Sequence, residues 1–158
     1  MSNKGFSLIE LIIVIFVIFV AFVTAYSVNQ KIISYGLLSG SRFQATYLAQ
    51  EGLELVRNIR DSNYISGNLW NNGLASCQSG CQIDYDDNSL SPYNDSFLKK
   101  ESVFIGYGNG VRNTLFKRRI VVTPISDDKM EVTSEVFWQA QGKRNSVILK
   151  DFLYDWEN

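Results

Sequence analysis

The sequence predicts an α+β chain in which one long N-terminal helix precedes an antiparallel sheet of three to four strands and packs its outer half on it. Three observations carry this. From Leu11 to Val23 every residue is Leu, Ile, Val, Phe or Ala. Beyond that run, small and apolar residues recur every three or four positions to Ile59, with no proline to interrupt them. The C-terminal third alternates apolar and polar residues in β-branched and aromatic segments.

The first element is an uncharged stretch of 20 residues, Leu11 to Gln30, long enough to cross a bilayer core as a helix. Twelve Leu, Ile, Val or Phe residues, at roughly −0.3 to −0.6 kcal/mol each, outweigh one acid at roughly +3 kcal/mol, so Glu10 does not prevent insertion. Lys4 flanks one end, while Lys31 and Arg42 lie beyond the other, so the count of positive charges leaves orientation open. The short segment before the run and the long one after it favour an N-terminus inside. A secretory signal cleaved before Tyr26, with Val23 and Ala25 as its small residues, is the competing reading. An acid heading the core, and a helical pattern that continues past the cleavage point, argue against it.

The helix then continues as an amphipathic stripe of Leu38, Ser41, Ala45, Leu48, Gly52, Leu55, Val56 and Ile59. From Phe6 to Ile59 a continuous helix would measure roughly 80 Å. Gly36 and Gly40 have the GxxxG spacing, which serves either close helix approach or a local bend. Arg57 and Arg60 suit a last turn, with Asp61, Ser62 and Asn63 as its stop. Glu51, Glu54, Arg57 and Arg60 have the spacing of intrahelical ion pairs, with no nucleophile and base to make a catalytic cluster.

Residues 65–100, rich in Asn, Ser, Gly and Asp, form a long connection rather than a second domain. Within it Cys77 and Cys81 flank three residues including Gly80. In an exported protein this favours a local disulfide, free thiols being the alternative. Asp84, Asp86, Asn88 and Asp95 have some of the spacing of a calcium loop. They lack its glycine, Pro92 and Asp95 stand where late ligands belong, and a solvated loop is expected. The strands follow as "SVFIGYG", "TLFKRRIVVTPI", "MEVTSEVFW", with Met130, Val132, Val136 and Trp138 on one face, and "SVILKDFLYDW", with turns at "SDDK" and "QGKRN".

Composition excludes several functions. The net charge of −1 gives no basic surplus for nucleic acid or acidic lipid. There is no histidine, which removes the commonest neutral-pH base and metal ligand, and two cysteines cannot close a zinc site. No cofactor, metal or enzymatic activity is expected.

The stretch "KGFSLIEL" resembles the processing site of type IV prepilins and pseudopilins, most like a minor pilin in its C-terminal strands. The resemblance implies that a prepilin peptidase/methyltransferase cuts between Gly5 and Phe6 and N-methylates Phe6. It also implies that Glu10 meets the Phe6 amine of a neighbouring subunit during assembly. Residues 1–5 would be the leader, 6–30 the membrane and filament-core helix, and 31–158 an extracytoplasmic pilin-like head. Losing Lys4 takes 15 positive side chains to 14 against 16 negative, a mature net charge of −2. The implied partners are other pilin subunits in a helical filament, an inner-membrane assembly platform and, before assembly, membrane lipid. Many pilins carry a proline near the position of Ser27, and its absence here leaves only the glycines as weak points. Some pseudopilins bind calcium in their heads. The function implied is a minor-pilin-like structural subunit. The alternatives are a pseudopilin of a type II secretion or DNA-uptake system and a membrane-anchored binding protein that does not polymerise.

Overall fold

The computed structural model describes residues 5, 7–101, 104–108 and 112–156, excluding the Glu101 side chain. The chain divides into two compact units, Met1–Gly40 and Ser41–Asn158. Helix α1, Leu8–Ile65, contributes to both.

In the first unit Ser34 and Leu38 are half-buried and the rest of the described helix is exposed. Every residue from Leu8 to Ile33 is exposed. Gly36 and Gly40 lie within unbroken helix with open space around each.

In the second unit α1 buries Ala45, Leu48, Ala49, Gly52, Val56, Ile59 and Arg60, close to the stripe expected from sequence. The helix does not stop near Ile59, however, and Arg57 and Arg60 are not in its last turn. It runs on to Ile65, where Gly67 (φ +68°) takes the left-handed conformation. The Gly67 and Asn68 amides donate to the Tyr64 and Asn63 carbonyls at 3.0 and 2.9 Å. This is the Schellman pattern that satisfies a helix's last carbonyls. Asn63, expected as a stop, lies inside the last turn, and its side chain instead donates to the Trp70 and Asn72 carbonyls.

The connection opens with a 3₁₀ turn at Ala75–Cys77 and supplies two short strands, β1 (Cys81–Gln82) and β2 (Ser91–Pro92). A small sheet follows from β3 (Lys99–Glu101), β4 (Phe104–Gly106) and β5 (Arg112–Asn113), in the order β4-β3-β5. The main strands are β6 (Phe116–Ser126), β7 (Lys129–Ala140) and β8 (Lys143–Tyr154). They match the three longest strand segments read from the sequence. The main sheet has five antiparallel strands, ordered β2-β1-β6-β7-β8, rather than three or four. The extra pair arises because Cys81 aligns with Ile120 and Pro92 with Cys81, pairings that no local pattern announces. The whole is the α+β arrangement of type IV pilins, a long helix followed by antiparallel sheet.

Period-2 alternation sorts the sheet's faces. Phe116, Arg118, Ile120 and Val122 on β6, and Met130, Val132, Ser134, Val136 and Trp138 on β7, are buried. Val56 and Ile59 of α1 join Ile120, Val122, Met130, Val132 and Leu153 in one cluster, with Trp70, Leu74 and both cysteines. Gly52 permits the close approach of helix and sheet, since a Cβ there would lie 2.6 Å from Ser134 Oγ and 3.0 Å from Arg118 Cδ. The β7–β8 turn needs only Gln141 and Gly142, both left-handed (φ +53° and +72°), as a tight primed hairpin requires. The rest of the expected "QGKRN" turn is already strand.

Candidate functional site

The residues carrying the sequence motif lie at the start of α1. Phe6, the expected methylated residue, and residues 1–4 of the leader lie outside the described residues; Gly5 is described and exposed. The Ser7 carbonyl accepts the Leu11 amide at 3.2 Å, making Ser7 the first residue of the helical hydrogen-bond ladder. Glu10 falls in the first turn and is exposed. A carboxylate there opposes the partial positive charge of the unpaired helix amides, an interaction worth about 0.3–1 kcal/mol. Ser7 and Glu10 also have the S-x-x-E spacing of a capping box.

On either side of Glu10 the described side chains of this part of α1 are exposed. Leu8 is 76 % exposed, Phe16 65 % and Phe22 75 %, values that an aqueous surface does not sustain over a continuous stretch. By length and composition this part of α1 is able to cross a membrane. The arrangement is therefore an acid and a hydroxyl at the start of an apolar run, Leu11 to Val23, in which every residue is exposed.

A family model described as the prokaryotic N-terminal methylation motif matches residues 1–26. The chain carries the type IV prepilin and pseudopilin signature. Searches of curated proteins and of solved structures give no match. The signature implies processing by a prepilin peptidase and assembly with other pilins.

In the second unit Cys77 and Cys81 form a disulfide with a Cα–Cα separation of 5.5 Å. Gly80, at φ +112°, makes the intervening turn, and both cysteines are buried in the core. The stretch from Asp84 to Asp95 does not converge on a centre, and no group of three metal-ligating side chains exists among the described residues. Asp84 is buried, whereas Asp86 and Asn88 are exposed. Asp95 accepts Lys117 Nζ at 2.6 Å and the Tyr93 hydroxyl at 2.9 Å. The Lys117 bond, then the Tyr93 bond, holds the Asp95 carboxyl below the ordinary carboxylate range.

The ion pairs of α1 are only partly local. Arg57 bonds Glu54 at 2.5 Å but also reaches Asp151 of β8. Arg60 pairs with Asp61 at 2.7 Å, and its guanidinium sits 4.2 Å from the Trp156 ring centroid. Glu51 pairs across to Arg118 of β6 at 3.4 Å. Burial raises the Glu51 pKa, the Arg118 charge working against that shift. Arg118 itself is fully buried and donates to the Leu48 and Ile83 carbonyls at 3.1 and 2.8 Å. One guanidinium thus joins helix, connection and sheet.

Proposed function

We propose that this chain is a structural subunit of a pilus-type filament, minor-pilin-like. It would be cleaved after Gly5, N-methylated at Phe6, held in the cytoplasmic membrane by its apolar helix with the N-terminus inside, and polymerised through that helix. The observation that carries the reading is the methylation motif over residues 1–26 continuing into an apolar helical run whose described side chains are exposed. The work done is assembly rather than catalysis.

Cleavage frees an α-amine on Phe6 at the edge of an apolar medium, and a charge there is costly unless paired. Glu10, one turn away, supplies the opposite charge, and in a bundle of such helices the amine of one subunit meets the acid of the next. Losing one partner of a buried pair strands the other at about 3–5 kcal/mol. Glu10→Ala should therefore be cleaved and methylated normally, yet be missing from filaments sheared from the cell. Incorporation at the wild-type level would refute the pairing. The same motif serves pseudopilins of secretion and DNA-uptake systems, so the alternative reading keeps the chemistry and changes only the machine. An assembly platform would be the partner in either.

A further inference from the structure

The sheet face turned away from α1 carries a second feature. Register sets Lys117 opposite Phe137 and Gln139 opposite Arg144. All four lie on the face opposite the one where Phe116, Arg118 and Trp138 are buried. Residues 93–97 cross this outer face. The Tyr93 ring meets Phe137 edge-on at 6.4 Å, Asp95 binds Lys117, and Lys117 Nζ stands 4.6 Å from the Phe97 ring centroid. Between them is a cavity of about 420 Å³ whose lining includes Asp95, Phe97, Lys117, Phe137, Gln139 and Arg144, together with Leu115 and Trp138. Its volume is that of an ordinary small-ligand site.

The chemistry of the walls narrows the ligand. Phe97 and Phe137 are flat apolar surfaces, each with a cation over its face, Lys117 on the first and Arg144 on the second at 4.5 Å. The two cations are not equivalent. Lys117 is neutralised by Asp95 at 2.6 Å, whereas Arg144 has no carboxylate within ion-pair distance among the described residues. With two cations and one carboxylate the cavity is net positive, and Arg144, which attracts Asp95 without pairing with it, offers a planar fork suited to a carboxylate. Gln139 adds an amide that both donates and accepts. Asp95 is held at φ +61°, a left-handed conformation uncommon for a non-glycine residue, by Tyr93 and Lys117.

We propose that this cavity binds a carboxylated sugar, one uronic acid unit of an acidic glycan. The C–H face of a pyranose lies on the exposed surface of the Phe97 ring, its carboxylate takes the Arg144 fork, and its hydroxyls meet Gln139 and the free lone pairs of Asp95. A purely apolar ligand would leave the fork unmatched. A bare phosphate would make no use of the Phe97 ring. The inference concerns the outer sheet face alone and does not depend on cleavage or polymerisation.

The test uses the full-length protein in detergent micelles, titrated with the methyl glycoside of D-glucuronic acid and, in parallel, with neutral methyl glucoside, followed by ligand-detected NMR. The acid should bind at least tenfold more tightly than the neutral sugar, and added salt should weaken it. Arg144→Gln should abolish the preference without lowering the melting temperature, because Arg144 is exposed on an edge strand. Phe97→Ser should weaken both sugars. Equal binding of the two glycosides, no binding of either at millimolar concentration, or a preference that survives Arg144→Gln would each overturn the proposal.

Discussion

Replacing Arg118 with methionine keeps a long, flexible side chain in a fully buried position while removing its charge and donors. Two consequences can be weighed. The Ile83 carbonyl loses a donor at 2.8 Å, and a buried acceptor left without a partner costs about 1–3 kcal/mol. Glu51 loses its cation at 3.4 Å. Breaking a fully buried pair costs about 3–5 kcal/mol, but Glu51 retains a third of its exposure, so its share falls below that range. The Leu48 carbonyl loses a 3.1 Å bond as well, although it stays in the helical ladder. Together these give about 3 kcal/mol, or a fall of roughly 10 °C in melting temperature for a unit of this size, read by circular dichroism of the full-length protein in detergent.

The pH dependence carries an independent sign. Burial already raises the Glu51 pKa, and Arg118 opposes that shift, so removing Arg118 should raise it further. A carboxyl whose folded pKa lies above its unfolded value binds its proton more tightly when folded. Protonation then restores stability as pH falls through the folded pKa toward the ordinary value of 4.5. The deficit of Arg118→Met should therefore shrink between neutral pH and that value, and adding Glu51→Gln should recover part of it at neutral pH. A loss under about 1 kcal/mol, or a deficit that grows on acidification, would refute the role assigned to the guanidinium.

Two further outcomes follow from the second unit. Cys77→Ala with Cys81→Ala opens a ring of only five residues, counted from Cys77 to Cys81, so the chain-entropy cost is about 2 kcal/mol. Reducing agent should shift the wild-type melting temperature by the same amount and leave the double variant unmoved. Gly142→Ala puts a Cβ at φ +72° and should cost about 1 kcal/mol; an unchanged melting temperature would mean that the β7–β8 turn relaxes into another form.

The features legible in the sequence were those written in local chemistry. The motif from Lys4 to Glu10, the apolar run, the alternation around Met130 to Trp138 and the Cys77–Cys81 spacing each express their physics within a few residues. Arg57 and Arg60 look like last-turn cations in the sequence, whereas they serve Asp151 and Trp156; the helix end is marked instead by Gly67, two residues beyond Ile65. Strands β1 and β2 have no period to read, because pairing with β6 alone makes them strands. Arg118 in "KRRI" resembles a solvated charge run, although counting by twos from Phe116 to Ile120 and Val122 places it on the buried face. The cavity could not be read at all, since it exists only where residues 93–97 fold back over Phe137.

The central claim, that the chain is matured as a prepilin, is tested most directly by the intact mass of the protein extracted from the membranes of cells that possess the peptidase. The account predicts a chain beginning at Phe6, lighter by "MSNKG" and heavier by one methyl group, with the Cys77–Cys81 disulfide closed. A chain that still carries Met1 through Gly5, or one that begins at Tyr26, would contradict it.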